Sequence, residues 1–483
     1  MNYRMMGKFL AQIMALEVVF LIPALGIALG FAETAAIKGI LYTIGIIAAI
    51  SCLLYLLCRG AGRRFGARDG LACVGLAWVV LSALGALPFT MSGAIPHYID
   101  AFFETVSGFT TTGASILADV EALPRSLLYW RSFTHWVGGM GVLVFLLAIA
   151  PGGKDSGFTM HLLRAESPGP DVGKLVPKMR LTAIILYVLY IALTIIDFIF
   201  LLCGKMPVLD ALCTAFGTAG TGGFGVYNDS MTGCTPYIQN VTTVFMFLFG
   251  VNFSCYYLLL LRQFRSVLKD EELRVYVGIV ILAIVVIMLN IRHLYGSWSE
   301  TLRHSAFQVS SIITTTGYTT ADYELWPALS KGVILGLMVI GACAGSTGGG
   351  LKVARALLLC KSLRRNTRQL VNPNQIQVIR NNGKPVSEAV VSNTQAYLAA
   401  YVIIIIVSYL MISLDGYSVG TNISAVLCCF NNIGPGMEAV GPTCNFGHMS
   451  ILSKLVLSAD MLAGRLEIFP MLILLSRSTW KKR

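Results

Sequence analysis

The chain has 483 residues, 56% of them hydrophobic and only 12% charged, with a net charge of +12 and a mean hydropathy of +0.73. Soluble domains carry about twice that charged fraction, so these charges could not cover the surface of a soluble fold of this size. The stretches 70–89, 181–196 and 396–414 hold no charge, and each runs about the length needed to cross a hydrocarbon core about 30 Å thick.

The pattern predicts ten spans, near 8–31, 38–58, 69–90, 126–150, 179–203, 238–261, 273–292, 330–351, 393–414 and 449–476. With the N-terminus in the cytoplasm, most Lys and Arg gather on the inner side: Arg59 to Arg68, Lys154 to Arg180, Arg262 to Arg274, Lys352 to Lys384 and the tail from Arg477. That bias is what the positive-inside rule requires. It puts both termini in the cytoplasm and accounts for the basic balance without nucleic acid. The first apolar run is too long for a cleaved signal peptide, and a second span follows it directly. The cysteines lie mostly in spans with no C-x-x-C pair and no metal-ligand spacing, so they read as small apolar packing residues. Cys234 and Cys444 fall in outer loops, where a disulfide stays open as an alternative. The six histidines form no H-x-x-H pattern, which argues against a metal-dependent membrane enzyme. His135, beside Trp130, Arg131 and Trp136, reads as part of an interfacial aromatic belt.

The connections carry more information than the spans. After the third span, His97 to Ser115 is too short and polar for a span and contains Thr-Thr-Thr-Gly113. After the seventh, Glu300 to Thr320 returns the arrangement with Thr-Thr-Thr-Gly317. After the fifth, Leu209 to Phe224 ends in Ala-Gly-Thr-Gly-Gly223, and Asp210 lies thirteen residues before Gly223 as Asp100 does before Gly113. After the ninth, Asn422 to Gly436 closes with Asn431-Asn-Ile-Gly434-Pro-Gly. The unit is span, re-entrant loop, span, repeated four times from about residue 69. Glycines also let helices pack closely, but four matched sites that all lie in connections point elsewhere. Irregular backbone at membrane depth survives only where protein buries it or it lines a watery cavity. Four short helices meeting at one axis would aim their partly negative C-terminal ends at a cation. The segments beyond them would present carbonyls that replace an ion's hydration shell, with glycine permitting the backbone angles. The loops hold no ring of carboxylates, which argues against a divalent-cation filter.

On these loops the chain resembles the Trk/Ktr/HKT superfamily of cation transporters, and within it the TrkH/TrkG branch, over essentially its whole length. The resemblance implies an all-α polytopic membrane protein with four span–pore-loop–span repeats in pseudo-fourfold arrangement plus two extra N-terminal transmembrane helices. The boundaries are 1–68 for the N-terminal pair, then repeats at 69–178, 179–272, 273–392 and 393–483. The implied selectivity filter is Thr111, Thr112, Gly113; Thr221, Gly222, Gly223; Thr315, Thr316, Gly317; and Asn432, Ile433, Gly434. In plant relatives a serine at the first glycine goes with sodium; four glycines here favour K⁺. The run Gly341 to Lys352 interrupts the eighth span, and in the family this stretch is an intramembrane gate, here Gly345, Ser346, Thr347, Gly348, Gly349 and Gly350.

Arg465 lies mid-span, where a charge costs at least ~2.5–3.5 kcal/mol and is usually functional. In the family it points into the pore; an internal ion pair with Asp460 or Glu467 is the other reading. Glu17 and Asp197, also in apolar runs, receive no role. The implied function is potassium uptake across a bacterial inner membrane by a non-enzymatic subunit, with K⁺ the transported ion and no organic cofactor in this chain. K⁺/H⁺ or K⁺/Na⁺ symport, or a less selective monovalent cation channel, are alternatives on the same scaffold. Implied partners are a second copy in a homodimer and a TrkA-like cytoplasmic nucleotide-binding regulator, since no Walker or dinucleotide motif occurs here. The loop from Lys352 to Ser392, with a hairpin expected over 376–386 turning at Asn382-Gly383, is the place for that regulator or for anionic membrane lipid.

Overall fold

The structure, a computed structural model, describes residues 2–60, 67–141, 179–375 and 377–480. Almost all regular structure is helical. Among the described residues, six helices are long and apolar enough to cross a membrane: Tyr3–Gly30, Thr34–Leu57, Arg68–Met91, Leu181–Cys203, Glu271–Leu294 and Glu388–Asp415. Their outward faces are apolar too. On Glu388–Ile412, Val402, Ile403, Ile406 and Leu410 are exposed while Tyr397, Tyr401 and Ser408 are buried. An apolar face with nothing packed on it fits hydrocarbon as the solvent.

Helices are numbered in chain order. The first two, α1 (Tyr3–Gly30) and α2 (Thr34–Leu57), pack on each other, and α1 leans on α3 (Ala67–Gly85). After α4 (Leu87–Met91), the short α5 (Tyr98–Phe109) and α6 (Arg125–Met140) follow. Next come α7 (Met179–Cys203), the short α8 (Val208–Gly220), α9 (Pro236–Phe249), α10 (Phe253–Leu260) and α11 (Phe264–Leu268). Then α12 (Glu271–Ile291), the short α13 (Trp298–Ile313), α14 (Ala328–Ile340) and α15 (Val353–Val371). The chain ends with α16 (Glu388–Ile412), the short α17 (Val419–Phe430), α18 (Ile451–Arg465), α19 (Phe469–Leu475) and α20 (Arg477–Trp480).

Apart from a slight interruption at Ala86 in the third, four of the ten expected spans end early or break sharply among the described residues. The span expected at 126–150 is helical to Met140 and turns at Gly141 with φ +80°; its remainder lies outside the described residues, as do the basic positions from Lys154 to Lys178. The span at 238–261 bends by 90° between α9 and α10. The break falls at Gly250, Val251 and Asn252, where Asn252 starts a new helix by accepting from the Ser254 amide. The span at 330–351 stops at Ile340, as its glycine-rich run predicted. The one at 449–476 breaks after Arg465, where Glu467 and Ile468 hold positive φ.

Each short helix packs against the helix before it and the helix after it, and α8 and α13 also lie on α6 and α9. In the same way α17 touches α14, and α5 touches α18, which closes the set. Ion pairs at the outer ends repeat the pattern: Asp210 of α8 meets Arg125 of α6 at 2.9 Å, and Asp100 of α5 meets Lys454 of α18 at 2.6 Å. Two short strands, β1 (Arg380–Asn381) and β2 (Lys384–Pro385), form the expected hairpin, with Asn382 and Gly383 both at positive φ. Residue 376 of that expectation lies outside the described residues.

Candidate functional site: four matched turns and the loop beneath them

All four short helices end the same way. The amides of Thr111, Thr221, Thr315 and Asn432 bond carbonyls three residues back at 3.1 to 3.2 Å. The next amides, of Thr112, Gly222, Thr316 and Ile433, bond carbonyls five residues back at 2.8 to 2.9 Å. That pair of bonds is a Schellman turn, which needs a left-handed residue where the helix stops. Thr111, Thr221, Thr315 and Asn432 supply it, with φ of +55°, +53°, +59° and +56°. Glycine usually takes this position, and other residues there cost about 1–2 kcal/mol.

Two residues on, Gly113, Gly223, Gly317 and Gly434 are again left-handed, with φ of +81°, +74°, +86° and +95°. Here glycine is required twice over. A Cβ at Gly113 would overlap the carbonyl oxygen of Gly222; at Gly223, that of Thr316; and at Gly317, that of Ile433. At Gly434 it would come within 2.8 Å of the Thr112 oxygen. Each glycine thus abuts the carbonyl just before the next glycine, and the fourth returns to the first. All four line one outer cavity of ≈ 120 Å³.

Buried side chains tie these segments together. Arg131 pairs with Glu104 at 2.6 Å, donates to the Gly225 carbonyl at 2.9 Å and lies 3.5 Å from the centre of the Phe224 ring. His135 is fully buried, with Nδ1 2.7 Å from the Gly108 carbonyl and Nε2 accepting from the Phe224 amide at 3.2 Å. Because the amide can only donate, Nε2 is the acceptor and Nδ1 carries the proton. The interfacial reading of His135, Arg131 and Trp130 is therefore corrected: all three sit in the interior, behind the first and second turns. Tyr323 donates to the Gly436 carbonyl at 2.7 Å, and Asn432 Nδ2 donates to Thr112 Oγ1 at 2.9 Å. The sequence signal for these struts was there, in polar residues set within otherwise apolar helices, but their partners lie in other units.

The run Gly341–Lys352 lies directly under two of the turns. The Gly349 amide donates to Thr315 Oγ1 at 2.7 Å, and a Cβ at Gly348 would meet the Thr314 carbonyl at 2.8 Å. Gly345 accepts from the Phe253 amide at 3.0 Å, Ser346 Oγ donates to Cys343 O at 2.6 Å, and Gly350 backs onto Gly341. Lys352, 2% exposed, donates to the Gly348 carbonyl at 2.5 Å. Glu272, at the start of α12, accepts from the Ala344 amide within the loop at 2.5 Å and from the Ala354 amide in the first turn of α15 at 3.1 Å, tying the loop to the helix that follows it.

Arg465 reaches the same place from α18. It donates to Thr347 O at 2.8 Å, to Gly139 O at 2.6 Å and to Gly138 O. Of its two candidate ion partners, Asp460 accepts from Ser408 and Glu467 pairs with Arg355. Gly348, Gly349, Gly350, Lys352 and Arg465 enclose a cavity of only ≈ 10 Å³, room for no more than about one water. The outer cavity and this closed layer lie on opposite sides of the turns. Glu17 and Asp197 are buried elsewhere, with no hydrogen-bond partner among the described residues. No cluster of metal-ligating side chains occurs among the described residues, and Cys234 and Cys444 are free thiols.

A multi-pass chain that gathers irregular backbone around one cavity is built to handle solute inside the bilayer. The chain belongs to the TrkH family of cation transport proteins, whose profile matches residues 36–482. It is 36% identical over 444 residues to the Trk system potassium uptake protein TrkH of Salmonella typhimurium (strain LT2), covering 90% of each. Identity to the protein of the same name from Vibrio parahaemolyticus is 34% over 495 residues, covering 100% of each. The crystal structure of the potassium transporter TrkH from Vibrio parahaemolyticus matches with a TM-score of 0.88 at 31% identity, over 100% of both chains.

Proposed function

We propose that this chain is the ion-conducting subunit of a potassium-uptake system in a bacterial inner membrane, with both termini in the cytoplasm. Its four span–loop–span units surround one pseudo-fourfold axis, with α1 and α2 as an added N-terminal pair. Thr111 to Gly113, Thr221 to Gly223, Thr315 to Gly317 and Asn432 to Gly434 form the selectivity filter, and their carbonyls stand in for the hydration shell of K⁺. The observation that carries this reading is the closed ring of glycine-to-carbonyl approaches, four identical turns each abutting the next. Relatives named as potassium uptake proteins support K⁺ as the cargo.

The loop Gly345 to Gly350, held by Arg465, is the gate. Its position under Thr315 and the lack of space around it support that role. A TrkA-like nucleotide-binding partner acts on the gate from the cytoplasm, and two copies of the chain pair in the membrane, each with its own pore.

The test is cation flux in proteoliposomes, with K⁺ and Na⁺ gradients and a pH dye. K⁺ should run down its gradient without proton flux, and Gly113→Ser should admit Na⁺. Proton movement in step with K⁺ would make the protein a symporter. Absence of any cation flux, with or without a TrkA-type partner and nucleotide, removes the pore reading.

A further inference from the structure

The cytoplasmic side of the third unit holds a cationic concavity that the pore does not use. Helix α15 places Lys361, Arg364, Arg365 and Arg368 at spacings of three and four, on one face. The β1–β2 hairpin folds back against that face and brings Arg380 opposite, with Lys361 donating to the Arg380 carbonyl at 2.7 Å. These five side chains and Gln377 line a hollow of ≈ 160 Å³ that is open to solvent. Two carboxylates answer the charge: Glu271 on Lys361, and Glu388 on Arg365 at 2.5 Å. The side chains of Arg364, Arg368 and Arg380 make no hydrogen bond or ion pair among the described residues, and Arg365 Nε is buried without an acceptor.

The positive-inside bias explains why basic residues face the cytoplasm. It does not explain why a hairpin should carry one more arginine into a pocket of like charges, which is unfavourable unless an anion shares it. Guanidinium forks match phosphate oxygens in pairs, and several around one hollow suit a phosphate group better than a single carboxylate.

The same hairpin is fastened to the gate. Asn382, at its tip, donates to Asp270 at 2.9 Å and accepts from the Glu271 amide at 2.8 Å. Glu271 holds Lys361 in the pocket wall. The next residue, Glu272, holds the Ala344 amide within the loop and the Ala354 amide in the first turn of α15. Three successive acids at the head of α12 therefore grip the pocket on one side and the loop on the other.

We infer that this pocket binds a phosphate-bearing anion, a phospholipid headgroup or a soluble phosphoanhydride, and that its occupancy is transmitted through Asp270, Glu271 and Glu272 to the loop 341–352. The transmission rests on that loop being the gate; the binding does not.

The test uses the full chain in nanodiscs of phosphatidylcholine, with inorganic pyrophosphate titrated by calorimetry. Binding should saturate, and the double variant Arg364→Gln/Arg368→Gln should weaken it about tenfold or more. Arg262→Gln/Arg265→Gln, the same charge change outside the pocket, should leave affinity within about twofold. Nanodiscs containing phosphatidylglycerol separate the sources. If a headgroup is the occupant, phosphatidylglycerol weakens pyrophosphate about tenfold more than the same surface charge supplied by oleate; if the occupant is soluble, the two weaken it equally. Equal weakening by both double variants, or no saturable binding, overturns the site. For transmission, saturating pyrophosphate should slow hydrogen exchange at Ala344 and Ala354. Asn382→Gly, which keeps the turn and removes the contact, should abolish that slowing with affinity retained. Exchange unaffected by saturating pyrophosphate overturns the coupling while leaving cation flux, and hence the pore reading, untouched.

Discussion

The layer of four turns and the layer immediately beneath it are built on opposite plans. Above, four helices end in the same pair of hydrogen bonds, the same left-handed residue and the same glycine. Below, the four inner helices end in four different ways. Gly141 turns the first, a 90° bend breaks the second, twelve residues of glycine-rich loop follow the third, and Glu467 and Ile468 break the fourth. Sameness suits a structure that must hold its shape, because no quarter of the ring is softer than another. Difference suits a structure that must move, since a switch needs one element with a second conformation. The loop 341–352 is held by the Thr315 hydroxyl, by Glu272 and by Arg465, contacts that the proposed gating would have to exchange.

The largest expected effect breaks the upper layer from behind. Arg131 and Glu104 are 3% and 0% exposed at the side chain, so Arg131→Ala leaves a buried carboxylate without its counter-charge, held only by the Ser115 hydroxyl and the Ile116 amide, and should cost about 3–5 kcal/mol. Thermal unfolding of the purified chain in nanodiscs measures this directly, and a shift no larger than that of a surface variant would remove Arg131 as a structural strut. Next in size is Gly223→Ala. The methyl group would press on the Thr316 carbonyl in a left-handed backbone, a strain of about 1–2 kcal/mol before any steric overlap is counted. Its signature should be K⁺ flux lost together with a lowered melting temperature, since the overlap falls on a backbone carbonyl that must shift.

How much of this was legible in the sequence follows from how local each feature is. The four turns repeat within some fifteen residues each, so their matching glycines and threonines stand out even with one sequence. The Gly341–Gly350 run is equally local. His135 and Arg131 were misplaced because Trp130, Arg131, His135 and Trp136 have the composition of an interfacial belt. Only the contacts with Gly108, Phe224 and Gly225, on other segments, reveal them as interior struts. The breaks at Asn252 and at Glu467–Ile468 were missed for a related reason. A left-handed glutamate followed by a left-handed isoleucine has no local propensity behind it, and tertiary contacts such as the Glu467–Arg355 pair hold it in place.

A finer probe compares equivalent positions of the two plans. Thr315 and Thr111 occupy the same place in their turns, but Thr315 Oγ1 accepts from the loop amide of Gly349, whereas Thr111 Oγ1 has no partner among the described residues. Thr315→Val should therefore orphan a buried amide at about 1–3 kcal/mol and raise K⁺ flux in the absence of any partner protein. Thr111→Val removes only an unpaired hydroxyl, touches no loop amide, and should not produce that rise in basal flux. Equal effects of the two would mean that the loop is not what limits flux. Glu272→Gln keeps an acceptor oxygen but loses its charge, so it should loosen the same loop by a smaller amount, about 1 kcal/mol, read as faster hydrogen exchange at Ala344 and Ala354.

The smallest expected effect is a pH dependence confined to the outer edge of the ring. Glu438 accepts from Ser418 Oγ and from the Thr421 amide and hydroxyl, both at 3.0 Å, at the head of α17. The Ser418 hydroxyl foremost, then Thr421 and the Lys331 charge, hold its carboxyl below the ordinary glutamate range. A carboxylate depressed in the folded state binds its proton more readily when unfolded, so its stabilising contribution is complete above the ordinary value near ~4.3. That contribution fades as pH falls through the lower folded value. Since the group is exposed to water, the effect should be slight and screened by salt. Unfolding of the unmodified chain and of Glu438→Gln should therefore converge as pH is lowered from neutral through that range. The expected convergence is in stability alone, because the fourth turn is also held by Asn432 through Thr112 and the Met461 carbonyl, whose bonds carry no titrating group. If acid instead changed K⁺/Na⁺ discrimination, the outer caps and the ring could not be treated as separate parts.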